Sequence, residues 1–319
     1  MSLHGAIDVV VSDVVAVNDL IKRFHFVRPD GEPLPAFSGG SHIVIEMHDG
    51  ETLRRTPYSL SSSPFETGDY QVSIRRDDEG RGGSLYMHRE VTPGTAMRIS
   101  HPANLFSLDK RAPKHLMLAG GIGITPFMAQ TAQLRDTGGV AELHYGVRSR
   151  ALGAYLDELS ARLGPRLHVY LDERDERMDL DRLLSSQPTG THLYVCGPTP
   201  MIDAVLEAAR RHAWPEAHVH HEHFAKSEPG EPFTVELRDS GLSVEVGEEQ
   251  TLLEAIENAG VDAPYLCRGG ACGQCETRVL SHEGALLHRD HWLSDEEHAS
   301  GEKIMPCVSR CSGTLVLDR

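Results

Sequence analysis

The sequence has little that would take it into a membrane or onto nucleic acid. No apolar run approaches the roughly 18 residues that a bilayer-spanning helix requires, so no membrane association is expected. Positive charge is scarce: 31 Lys and Arg stand against 47 Asp and Glu, a formal charge of −16 at pH 7. That is the opposite of the basic footprint a phosphate backbone demands, which excludes nucleic acid as a partner. The opening Met1-Ser2-Leu3-His4-Gly5-Ala6 lacks the basic stretch and apolar core of a secretory signal. Cysteine is sparse, with six in 319 residues, a usage that fits a reducing compartment. A soluble, cytoplasmic, monomeric protein of two or three domains is the expectation.

The densest chemistry lies late in the chain, at Cys267-Arg268-Gly269-Gly270-Ala271-Cys272-Gly273-Gln274-Cys275. Thiols spaced C-x4-C-x2-C with a distant fourth are the pattern of a plant-type [2Fe–2S] site. Four thiolates on two irons need a tight loop folded over an inorganic core. Gly269, Gly270 and Gly273 let the backbone turn there and aim N–H groups at sulfur. Structural zinc favours paired C-x2-C units, and this loop has one.

Residues 6–100 read as short strands. Val9-Val10-Val11, Ile43-Val44-Ile45-Glu46-Met47 and Tyr70-Gln71-Val72-Ser73-Ile74-Arg75 are separated by Gly, Pro and Asp turns, which predicts a small antiparallel β-barrel. One short helix is expected near 84–90. Two segments stand out, Arg54-Arg55-Thr56-Pro57-Tyr58-Ser59-Leu60 and Arg81-Gly82-Gly83-Ser84. A Gly-Gly-Ser step opening a helix offers free N–H groups, a hydroxyl and a positive helix end to a phosphate. An arginine on a neighbouring strand adds a charge-assisted contact. Tyr58 supplies a flat face and Ser59 a hydroxyl, so the two segments together make a candidate flavin cradle.

The texture then changes. His115-Leu116-Met117-Leu118-Ala119 is an apolar strand, followed at once by Gly120-Gly121-Ile122-Gly123-Ile124-Thr125-Pro126 and a helix. Strand, glycine turn and helix form a nucleotide-binding context, although the pattern is not G-x-G-x-x-G. Gly120, Gly121 and Gly123 permit close approach of a pyrophosphate, Thr125 is a candidate helix cap, and Pro126 suits the first turn. Further strands at 142–147, 167–171 and 192–195 alternate with helices at 157–163 and 200–212, predicting a parallel α/β sheet. Ligand binds at the carboxyl ends of such strands, where Gly120–Pro126 and Cys196-Gly197-Pro198 both lie. After the second strand an acidic residue would favour the ribose diol of NAD; Arg148 and Ser149 stand there instead, groups that suit the 2′-phosphate of NADPH. Cys196 has no evident base beside it and reads as a small buried residue. His218, His220, His221 and His223 read as a strand with surface imidazoles, alternating between faces, rather than as a metal site.

Ala225–Pro232 has a linker composition. Phe233–Leu237 and Leu242–Val246 form a hairpin over Asp239-Ser240-Gly241, and Thr251–Gly260 is a helix with Thr251 and Glu254 as a capping box and Gly260 as its stop. Hairpin, helix and cluster loop in that order give a β-grasp ferredoxin fold, closed by a strand at 315–317.

On the Arg55–Ser59 and Arg81–Ser84 segments, the Gly120–Pro126 turn and the cysteine loop, the whole chain resembles the ferredoxin–NADP reductase superfamily, and more closely phthalate dioxygenase reductase and its relatives. The resemblance implies a multidomain α/β protein: an antiparallel β-barrel flavin domain (1–105), a parallel α/β NAD domain (106–226), then a linker with a plant-type [2Fe–2S] ferredoxin domain (227–319). It implies FMN rather than FAD, held by Arg55, Tyr58, Ser59, Ser73, Arg75, Arg81, Gly82, Gly83 and Ser84, with Thr125 and Phe224 against the ring. Pro57 lengthens the Arg-x-Tyr-Ser motif, leaving Arg54 beside the favoured Arg55. The resemblance places Cys196, Gly197 and Pro198 beside the nicotinamide, favours NADH over NADPH, and makes Cys307, not Cys311, the ligand after Cys267, Cys272 and Cys275. It further implies electrons running from NADH through the flavin to the cluster and on to a partner protein, a Rieske oxygenase of an aromatic or demethylating system. A flavin is needed between a two-electron donor and a one-electron centre. Alternatives are a cytochrome P450 acceptor or a redox-sensing module without turnover.

Overall fold

The computed structural model describes residues 6–50, 52–224 and 228–319. The N-terminal segment, the start of the expected linker and the expected boundary at 226/227 lie outside these residues. Strands β1 (Ile7–Ala16), β2 (Ile21–Val27), β3 (Ser41–Asp49), β4 (Thr52–Ser59) and β5 (Tyr70–Arg75), helix α1 (Gly83–Glu90), and strands β6 (Ala96–Ile99) and β7 (Ala103–Asn104) build the first unit. Its strand order is β4-β3-β6-β1-β2-β5, and a bridge between Leu60 and Val72 brings the two ends together into a barrel. Alternation sends Phe24, Phe26, Ile43, Ile45, Met47, Val72 and Ile74 into one core. Helix α1 closes an end of it with Met87.

The second unit contains β8 (His115–Gly120), α2 (Thr125–Thr137), β9 (Ala141–Val147), α3 (Leu156–Leu163), β10 (Leu167–Leu171), α4 (Leu180–Ser185), β11 (His192–Cys196), α5 (Thr199–Arg211) and β12 (Val219–Glu222). The parallel sheet runs β10-β9-β8-β11-β12. Along β8 and β11, Met117, Ala119, Tyr194 and Cys196 pack with α2 and α3 on one face. Leu116, Leu118, Leu193 and Val195 pack with α4 and α5 on the other. Both faces are covered, which is why these strands read as continuous apolar runs. On β12 the imidazoles divide as the alternation predicts: His220 lies against Tyr194, and His221 against His223.

The third unit has β13 (Phe233–Leu237), β14 (Leu242–Val246), α6 (Leu252–Asn258), β15 (Thr277–His282), β16 (Leu286–Leu287), α7 (Asp295–Ser300), β17 (Lys303–Ile304), β18 (Arg310–Cys311) and β19 (Thr314–Leu317). Its main sheet, β14-β13-β19-β15-β17, pairs β13 with β19 in parallel and curls around α6. The Thr251/Glu254 capping box is present, and Gly260 ends the helix region at φ +84°. Among the described residues no helix is long and apolar enough to cross a membrane.

Candidate functional site at the junction of the three units

A cavity of about 640 Å³ is walled by all three units. From the barrel come the residues of β4, the end of β5 and the Arg81–Ser84 turn. The second unit contributes Ile122, Thr125 and the end of β12 through Phe224. Cys267, Cys272 and Cys307 line its far wall.

At the barrel wall the backbone turns through Gly82, at φ +92°, into α1. A Cβ on Gly82 would lie 3.3 Å from Arg54 Nη2, and one on Gly83 3.2 Å from Thr56 Oγ1. Arg54, Thr56 and Tyr58 share one face of β4; the Tyr58 hydroxyl bonds to Thr56, and burial pushes its phenol up. The guanidinium at the glycine turn is thus that of Arg54. The Arg55 side chain leaves on the opposite face, 3.6 Å from Glu46 and 3.1 Å from Glu257 of α6. Pro57 is the one residue between Thr56 and Tyr58, so unbroken alternation along β4 puts Arg54, not Arg55, on the Tyr58 face. Arg81 also reaches α6, donating to the Glu254 carboxylate at 2.8 Å and to the Glu249 carbonyl at 2.8 Å. Ser84 Oγ accepts from the Asp77 N–H at 3.0 Å. Ser59 is buried, Ser73 Oγ is hydrogen-bonded to the Tyr155 hydroxyl, and Arg75 is exposed at the rim.

In the second unit the glycine turn approaches Cys196-Gly197-Pro198 closely. A Cβ on Gly123 would stand 2.3 Å from the Cys196 carbonyl oxygen, and one on Gly120 2.7 Å from Pro198 Cδ. Gly121, at φ +54°, has nothing within 4 Å of its missing Cβ. Two of the three glycines therefore serve strand-end packing. Thr125 does not cap α2 with its side chain, because it lies inside the helix and its hydroxyl donates back to the Ile122 carbonyl at 3.1 Å. Pro126 occupies the first turn, as expected. Arg148 and Ser149 follow β9, with Arg148 exposed. Cys196 is fully buried, and burial pushes its thiol well up, which removes it as a nucleophile. Gly197 and Pro198 border a second cavity of about 380 Å³, and Phe224, 41% exposed, lines both cavities.

Beside Phe224, the Glu222 carboxylate is buried with Oε2 lacking a hydrogen bond. Burial, with Cys267 nearby, pushes its pKa up to about 8. The sequence picks out Glu222 together with Phe224 but gives the charge no role, because its burial arises only in the tertiary fold. His223 stacks on His291 at 4.1 Å, joining the second unit to the third.

The cysteine loop fits an iron–sulfur core. All six cysteines are free thiols. The loop turns through Arg268, Gly270 and Gly273 at φ +49°, +72° and +73°. The Gly269 N–H points at Cys267 Sγ at 3.3 Å, and Cys275 and Cys307 sulfurs stand 3.3 Å apart. The Cys272 thiol and several backbone N–H groups hold Cys267 well below its usual pKa, the donor set a thiolate ligand needs. Cys311 lies away from this group, on β18, with its thiol donating to the Glu283 carbonyl at 3.4 Å.

Residues 235–312 match the family described as a 2Fe-2S iron-sulfur cluster binding domain. Residues 99–219 match the N-terminal domain of dimethylamine monooxygenase subunit DmmA-like proteins. The chain is 47% identical to a carnitine monooxygenase reductase subunit of Acinetobacter baumannii over 97% of its length and 96% of that protein. It is 45% identical to the heme-dependent oxidative N-demethylase beta subunit of Ectopseudomonas mendocina, over 98% of both. Among solved structures, phthalate dioxygenase reductase superimposes with a TM-score of 0.90 at 33% identity, over 99% of this chain and 98% of that one. An intact type IV self-sufficient cytochrome P450 monooxygenase matches at a TM-score of 0.72 and 37% identity, over 98% of this chain and 41% of that one.

Proposed function

The chain belongs to the phthalate dioxygenase reductase-like family, as an electron-transfer oxidoreductase subunit of an oxygenase or demethylase system, and from that premise we propose how its residues carry the electrons. The observation that supports the reading is the single cavity bounded by the glycine turn of α1, by Thr125 and Phe224, and by Cys267 and Cys272.

FMN bound there would supply the chemistry that the chain lacks, taking the two electrons of one hydride and giving them up singly. Its phosphate would sit at the start of α1, met by N–H groups of the Gly82–Ser84 turn and by Arg54, with Arg81 alongside. This assigns the strand arginine to Arg54 in place of Arg55. Ser59, Ser73, Arg75 and Tyr58 would flank the ring, and Thr125 would face it from the second unit. Phe224 stands between the two cavities and must move or share space for the nicotinamide to reach the flavin. The nicotinamide would lie along Cys196-Gly197-Pro198, with the pyrophosphate over Gly121. NADH is the favoured donor, and Arg148 with Ser149 would receive the extra phosphate of NADPH. Cys267, Cys272, Cys275 and Cys307 would hold the [2Fe–2S] cluster.

The acceptor we infer is a Rieske-type oxygenase that demethylates or hydroxylates a small molecule, and we propose that the reductase itself is monomeric. The likeness to a P450 monooxygenase supports a second reading of the acceptor, a haem protein fed by the same electron chain. Mass spectrometry of the flavin released on denaturation, with NADH-driven reduction of cytochrome c, tests the proposal. FMN in the supernatant and rapid turnover are expected; a protein that binds no flavin overturns it. Size-exclusion chromatography with light scattering should give the mass of one chain.

A further inference from the structure

Three arginines of the barrel face acidic groups of the third unit, and the pairs differ in burial. Arg54 meets Glu249 at 3.0 Å, but that carboxylate is 56% exposed, so the pair contributes little. Arg81 meets Glu254 at 2.8 Å, where burial opposes the charge and the guanidinium outweighs it, holding the carboxyl below its ordinary value. The deepest contact is at Glu257. One of its oxygens takes Arg55 of the barrel at 3.1 Å, and the other takes Arg268 of the cluster loop. The side chains of Arg55, Glu257 and Arg268 are 1%, 10% and 4% exposed.

Glu257 is the fourth of five charges in an alternating row. Arg98 lies 3.8 Å from Glu46, Glu46 lies 3.6 Å from Arg55, and Glu257 then joins Arg55 to Arg268. Arg268 directly follows the ligand Cys267, takes a left-handed φ of +49°, and lies over the Tyr265 ring at 3.8 Å. Its guanidinium is therefore held from two sides while its backbone shapes the cluster loop. Without the Glu257 charge, two buried guanidiniums would confront each other across the boundary between barrel and cluster domain. Loss of one partner from a buried network is costly because the remaining charges stay desolvated.

We propose that Glu257 is a positioning residue: by holding Arg55 and Arg268 on its two oxygens, it seats the cluster loop against the flavin barrel and sets the rate of the electron step between them. The proposal rests on the functional reading above. In the step concerned, one electron leaves the reduced flavin and one is gained by the oxidised cluster, so the two electrons of each hydride cross in succession. Glu257 touches neither redox group. Its effect is on their separation, to which such a transfer is steeply sensitive, and hydride transfer into the flavin lies outside its reach.

The test uses the full-length protein loaded with flavin and cluster, as wild type, Glu257→Gln and Arg55→Gln. Hydrogen exchange reads the interface directly, through the Arg55 N–H that donates across the boundary to Glu254 Oε1 at 3.4 Å and through the amides of α6. Rapid-mixing absorbance reads flavin reduction and cluster reduction separately. In both variants, interface amides should exchange at least about tenfold faster. The flavin-to-cluster rate should fall by about the same factor while reduction of the flavin by NADH keeps its wild-type rate. Wild-type exchange and wild-type cluster reduction in the variants would overturn the proposal. Should Glu257→Gln lose its cluster, Arg55→Gln decides, because it leaves the Glu257–Arg268 pair intact: slowed transfer at full cluster content supports the bridge, and an unchanged rate refutes it. Failure of wild type to reduce its flavin with NADH would instead sink the functional reading, while the exchange measurement still decides the bridge.

Discussion

Gly123 sits directly beneath the end of β11, where a Cβ would stand 2.3 Å from the carbonyl oxygen of Cys196. The obstacle is backbone at the tip of a central strand and cannot rotate away. Gly123→Ala should therefore push the Cys196-Gly197-Pro198 segment outward, at a cost of about 1–3 kcal/mol. A melting temperature lower by a few degrees is expected. The KM for nicotinamide nucleotide should rise severalfold, with flavin content unchanged. Steady-state kinetics and a thermal melt check both, and wild-type values would show that the close approach is unimportant.

The fourth cluster ligand separates by position. Cys307 lines the junction cavity and stands beside Cys275, whereas Cys311 faces the Glu283 carbonyl. Cys307→Ser should abolish the visible and EPR spectra of the cluster while NADH still bleaches the flavin. Cys311→Ser should keep the cluster. The reverse pattern would reassign the ligand.

Arg54 and Arg55 make a second pair of neighbours with opposite roles. Loss of a charge-assisted hydrogen bond removes about 1.5–3 kcal/mol, so Arg54→Gln should weaken FMN binding by about 10- to 100-fold. Arg55→Gln should leave the flavin Kd close to wild type. Fluorescence titration of the apoprotein measures both, and a larger loss for Arg55→Gln would return the phosphate to that residue.

How far the sequence reveals this site depends on the range of the interaction. The cluster loop, the Thr251/Glu254 capping box and the three-unit order are local patterns, and all were legible. A second capping box, Ser294 with Glu297 at the start of α7, carries the same local signal as Thr251/Glu254 and went unread. The choice between Arg54 and Arg55 turns on strand alternation, which shows that Thr56 and Arg54, not Arg55, share the face of Tyr58. Glu257 was illegible as more than a helix residue, because its barrel partner lies 202 positions away. Gly120 and Gly123 invited a pyrophosphate reading, yet their Cβ space is filled by the Cys196–Pro198 segment and Met201.

Acid should weaken the second unit through its histidines. His192 Nδ1 and His220 Nε2 are 2.9 Å apart, and His220 stacks on Tyr194. Burial, then the neighbouring His192, lowers the pKa of His220 to about 4, with Asp109 opposing and His218 and His115 adding to the shift. Unfolded histidine titrates near 6.5, so between about 6.5 and 4 the unfolded chain binds more protons and stability falls as pH falls. Allowing for solvent screening, His220 accounts for about 1–2 kcal/mol across that window. Urea midpoints measured against pH should flatten in His220→Gln; a variant that follows the wild-type curve would contradict the assignment.

On the proposed electron path, one chain would take hydride at its junction cavity and deliver single electrons at Cys267–Cys307. Anaerobic titration of the loaded protein with NADH, followed by absorbance and EPR, tests it most directly. A two-electron flavin and a one-electron cluster predict full reduction at about 1.5 equivalents of NADH per chain, with the reduced-cluster signal growing as the flavin bleaches. A flavin that bleaches while the cluster stays oxidised, or a cluster that NADH reduces in flavin-free protein, would contradict it.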